Sequence, residues 1–111
     1  MDIVRRIGIL RESLEKGDTR EIRINCSEMV DESGDLLLLL NRCFYQTSEH
    51  WNEIFRCPVQ PPDFMRLVDA AGGFVQVSEK EMVEAALKLG EEMLEIVRVR
   101  GVTIESSEPL V

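Results

Sequence analysis

Apolar residues recur along this chain in two rhythms. Ile3, Ile7, Leu10 and Leu14 follow at steps of four, three and four, so a helix over 2–16 puts them on one face. Gly8 weakens that helix by about 1 kcal/mol relative to Ala, and Gly17 suits the left-handed position that ends it. From 20 to 26 the period becomes two: Ile22, Ile24 and Cys26 alternate with Glu21, Arg23 and Asn25. That pattern predicts a half-buried strand whose charged outer face suits a sheet edge. Met29 and Val30 fit either more strand or one helical turn, and Ser33-Gly34-Asp35 reads as a turn.

A second helix is expected from about Asp35, because Leu37, Leu40, Phe44, Thr47, Trp51 and Ile54 are spaced by threes and fours. The run Leu36–Leu40 alone would also suit a buried strand, but leucine is a good helix former and is not branched at Cβ. Thr47-Ser48 offers a break and a fresh cap. Cys57–Pro62 holds three prolines and is a loop, read as a rigid connection rather than a proline-rich ligand. Asp63 is placed to cap a short helix over 64–71, with Phe64, Leu67, Val68 and Ala71 inward and Gly72-Gly73 as its stop.

Phe74–Val77 then predicts a short strand. Ser78 and Glu81 form a capping box that opens a long helix over 79–98, closing at Gly101. Val102–Glu105 is a last strand candidate, and 106–111 reads as a loose tail. Interleaved helices and strands predict an α+β fold: one domain, 1–111, with a small, about three-stranded sheet covered by helices.

Composition narrows the function classes. The 111 residues are 44% hydrophobic, enough for a core. Thirteen basic and 21 acidic side chains give a net charge of −8, which argues against a nucleic-acid or anionic-membrane partner. The acidity is uneven: residues 1–25 carry a balance of +1 and residues 26–111 one of −9. In the N-terminal quarter Arg5, Arg6, Arg11, Arg20 and Arg23 alternate with acids, as on a salt-bridged surface. No apolar run approaches the roughly 18 residues of a membrane span, and no signal-peptide pattern opens the chain. Cys26, Cys43 and Cys57 are odd in number and lack disulfide or CxxC spacing, which points to reduced thiols in a cytoplasmic protein.

Reactive side chains concentrate in 41–57, which holds the only His, Trp and Tyr. Glu49, His50, Trp51 and Glu53 with Cys43 form a candidate small-molecule site. There His50 and Glu53, at i and i+3, would pair as base and orienter beside a thiol. A solvated polar helix face explains the same residues. A metal site falls short, since one His and two Glu in reversed order do not make a carboxylate-bridged set. No nucleotide loop follows Gly72-Gly73, and Glu79 and Glu81 in the first helical turn would repel phosphate. No cofactor and no catalytic motif is implied.

The apolar inventory points to association. Leu36, Leu40 and Phe44 on the second helix, and Met82, Leu89 and Met93 on a second face of the long helix, exceed what a small sheet can cover. The leading expectation is a module that binds itself, most simply as a two-fold dimer, or another protein. The alternative is a small-molecule-binding protein or minor enzyme centred on His50.

Overall fold

A computed structural model describes residues 2–41 and 50–107. These fold into five helices: α1 (Asp2–Lys16), α2 (Thr19–Leu40), α3 (His50–Phe55), α4 (Phe64–Ala71) and α5 (Glu79–Ser107). Among the described residues there is no strand, so the fold is helical and not α+β. The three predicted strands resolve differently. Residues 20–26 lie inside α2, 102–105 inside α5, and 74–77 in the irregular connection between α4 and α5.

The longer period explains the first correction. Ile22, Cys26, Met29, Ser33 and Leu37 lie three or four residues apart and are all buried, whereas Ile24 is 45% exposed. Over seven residues alternation by two competes with this stripe; over 22 residues the helical face buries far more apolar surface. Leu36–Leu40 is therefore helical, as the leucine argument predicts. Ser33-Gly34-Asp35 is no turn but the middle of α2.

Gly17, with φ +69°, ends α1, and its N–H donates to Ser13 O at 3.0 Å. Asp18 then caps α2, accepting from Glu21 N at 3.2 Å. So short a link makes α1 and α2 an antiparallel hairpin. Arg6 therefore reaches Glu28 and Glu32 in the middle of α2.

The capping box forms in both directions: Ser78 N donates to Glu81 Oε1, and Glu81 N to Ser78 Oγ, each at 3.1 Å. The Ser78 backbone N–H, and next the Ser78 hydroxyl, favour the ionised form and hold the Glu81 carboxyl below its ordinary range. α5 does not stop at Gly101 but continues to Ser107. The tail expected at 106–111 thus begins in helix, and 108–111 lie outside the described residues. Asp63 departs from its expected role: it precedes α4 in the left-handed region, φ 57°, and makes no capping bond. Its carboxylate faces Arg66 at 3.4 Å instead.

α5 is the axis of the molecule and packs against α1, α2 and α4. At 1.5 Å per residue its 29 residues span about 44 Å, which accounts for the longest dimension of 45 Å. Gly90 lets three helices meet: a Cβ there would lie 2.9 Å from Met29 and 3.0 Å from Ile7. No described helix is long and apolar enough to cross a membrane.

Candidate functional site

The residues singled out from the sequence divide into those the fold hides and those it displays. Met82, Leu89 and Met93 belong to the core, at 4%, 0% and 0% exposure, and cannot meet a partner in this conformation. The second apolar face of α5 is the one its neighbours cover, because a helix that is apolar on several sides takes the central position. Leu36 and Leu40 are partly buried against the same core. Phe44 lies outside the described residues, as do Cys43, Glu49 and the expected break at Thr47-Ser48.

The proposed thiol–imidazole–carboxylate grouping is only partly described. His50 opens α3. Glu53 faces Arg56 at 3.4 Å. Cys57 is buried, its Sγ donating to Glu53 O at 3.6 Å. Cys26 is buried too, and donates to Met82 O at 3.9 Å. Burial pushes the Cys26 thiol up to about 11, with Arg23 opposing and Glu79 adding to the shift. A thiol so held stays protonated and makes a poor nucleophile. Among the described residues no three His, Cys, Asp or Glu side chains come together as a metal set.

Trp51 does reach a concave site. It stacks against Phe55, ring centroids 5.7 Å apart, and Phe55 against Phe64 at the same separation. The indole also rests on α2 at Gly34, where a Cβ would lie 2.7 Å from its Cη2. Gly34 is thus a docking point for the α3 ring, a role that reads as a turn when only neighbours in sequence are considered. The proline loop is tied to the end of α2 and to α3. Asn41 Nδ2 donates to Val59 O at 2.9 Å, and Val59 N returns a bond to Asn41 Oδ1 at 3.0 Å. Gln60 Nε2 donates to Cys57 O at 2.7 Å and Phe55 O at 3.0 Å.

The resulting cleft has a volume near 420 Å³ and is lined by Val30, Asp31, Trp51, Phe55, Val68, Asp69 and Phe74. Glu53 is not among its walls. A wider hollow of about 890 Å³ lies on the other side of α4, between α4 and α5, and includes Met65, Val75 and Val77. Asp69 borders both, and its carbonyl accepts from Phe74 N at 2.9 Å and Val75 N at 3.4 Å. These bonds fold the 72–78 connection back over the end of α4. Phe74 and Val75 of the connection are 71% and 47% exposed, and Met65 in the first turn of α4 is 53% exposed.

Sequence reasoning missed these positions, having assigned Phe74–Val77 to a strand. A usable signal was present: four mostly apolar residues confined between a Gly-Gly stop and a helix cap have too little length to turn inward. Compared with protein-family models, curated proteins and solved structures, the chain matches none.

Proposed function

We propose that this protein works by association with another polypeptide chain, through the surface formed by α3, α4 and the 72–78 connection. One observation carries the reading: Phe74, Val75 and Met65 border two hollows that share Asp69, and Phe74 at 71% is the most exposed large apolar side chain among the described residues, whereas the exposed Val4, Leu14, Ile24, Leu39 and Val99 border neither hollow. Clustered exposed aromatic and methionine side chains are characteristic of protein interfaces. The α3–α4 surface takes the place of the α5 face in the association expected from sequence.

The test is size in solution. The protein is sedimented alone over a concentration series, then at low concentration in an extract of its source cells. Association through this surface produces a species heavier than the 12.7 kDa chain that a Met65→Ser, Phe74→Ser double variant fails to form. Both side chains are exposed, so the double variant is expected to keep its melting temperature. A strictly 12.7 kDa species in both settings, or a heavier one indifferent to the double substitution, refutes the proposal.

A further inference from the structure

Resting on that reading, we infer the chemistry of the partner: the cleft walled by Trp51, Phe55 and Phe74 takes a basic amphipathic segment of another protein. A bulky apolar side chain of the segment seats between the rings, and a neighbouring Arg or Lys meets Asp31 and Asp69.

The walls and the rim of the cleft make different demands. Val30, Val68 and the three aromatic residues form an apolar seat, which favours an aromatic or branched aliphatic anchor. Among the described residues, the only ionisable groups lining the cleft are the carboxylates Asp31 and Asp69, and neither is in an ion pair with a described residue. Aromatic faces and free carboxylates attract the same kind of group, a guanidinium or ammonium.

The sign of the charge persists beyond the cleft. Around the wider hollow stand Asp63, Asp69, Glu81 and Glu84 against Arg66 and Lys88, and Arg66 already faces Asp63. Two hollows sharing Asp69 across α4 extend further than one small molecule would need, and suit a peptide laid over the helix. A second copy presenting this same face would set carboxylates against carboxylates, on a chain whose net charge is already −8.

The experiment selects 16-residue peptides from a random displayed library on the full chain, with counter-selection on the Phe74→Ser variant. The enriched peptide is then titrated against the protein. Trp51 is the only tryptophan and lies in the cleft wall, so its emission reports occupancy directly. The inference expects enrichment of Arg or Lys beside one or two bulky apolar residues and a saturable change in Trp51 emission. It also expects binding weakened roughly fivefold by either Asp31→Asn or Asp69→Asn and reduced by added salt. Circular dichroism of both variants checks that the fold is retained.

Enriched peptides that are neutral or acidic, or that bind without altering Trp51, overturn the inference and leave association through the surface standing. Self-association abolished by Phe74→Ser, with no peptide enriched, does the same and identifies the partner as a second copy. Neither peptide binding nor any heavier species removes the inference and the proposed function together.

Discussion

The body built from α1, α2 and α5 and the end built from α3, α4 and the 72–78 connection share one core but finish it differently. In the body, Leu10, Ile22, Met29, Leu89 and Met93 are fully buried. One largely buried polar network there runs inside the protein: Arg6 donates to Asn25 Oδ1 at 2.8 Å and Glu32 at 2.9 Å, and Asn25 donates to Ser13 Oγ at 3.2 Å. At the other end, aromatic rings stack in a row and then stop, leaving Phe74 71% exposed over a cleft. Three long helices can enclose one another. α3 and α4, of six and eight residues, are too short to cover Phe74 of the connection as well. Apolar side chains stay exposed on the long helices too, at Val4, Leu14, Ile24, Leu39 and Val99, but those of α4 and the 72–78 connection border hollows, and that is where recognition is expected.

Substitutions can break this contrast. The largest effect belongs to the body: Leu89→Ala removes a fully buried side chain from the axis helix and is expected to lower unfolding free energy by about 3 kcal/mol. Urea denaturation measures that loss, and a change below about 1 kcal/mol would contradict the central place of α5. Next comes Arg6→Met. It leaves Glu28 and Glu32 side by side without their cation, at an expected cost of about 2 kcal/mol, discounted for the partial exposure of the site. A second substitution, Glu32→Gln, should recover part of that loss if the charge, rather than the arginine stem, is responsible.

Two glycine-to-alanine changes sharpen the comparison, because the same substitution should act with opposite signs. Gly34→Ala gains helix propensity but drives a methyl against the Trp51 indole at the junction of the two regions. A net destabilisation of about 1 kcal/mol is expected, together with a red-shifted Trp51 emission as the ring is displaced. A more stable protein with unchanged emission would show that α3 does not rest on α2. Gly8→Ala meets nothing within 4 Å on α1 and should stabilise by roughly 0.5–1 kcal/mol. Thermal melts of the pair read out both signs.

Much of the helical layout was legible in the order of residues, and its failures share a cause. The bounds of α1 and α4, the stop at Gly17, the proline loop and the Ser78–Glu81 cap follow from local chemistry: side chains bonding backbone three residues away, or a ring that removes a donor. Strands were assigned wherever an apolar run was shorter than about two helical turns, where periods of two and of 3.6 fit equally well. Ile22-Arg23-Ile24 is the clearest instance, settled only by Met29, Val30 and Leu37 further along the same face. Gly34 failed for another reason, since its partner is seventeen positions away in sequence. The candidate site around His50 was legible only as far as Trp51, because the cleft draws its remaining walls from α2, α4 and the 72–78 connection.

Residue order by itself determined where α1, α4 and α5 begin, which faces are apolar and where negative charge gathers, since each depends on neighbours within a turn or two. Which apolar face would be enclosed and which left in water was decided by tertiary packing alone. Met82 and Leu89 lie within the molecule and Phe74 outside it because α5 found three helices to surround it, while the connection beside α4 found none. Burial belongs to a residue's distant neighbours, and no local pattern records who they are.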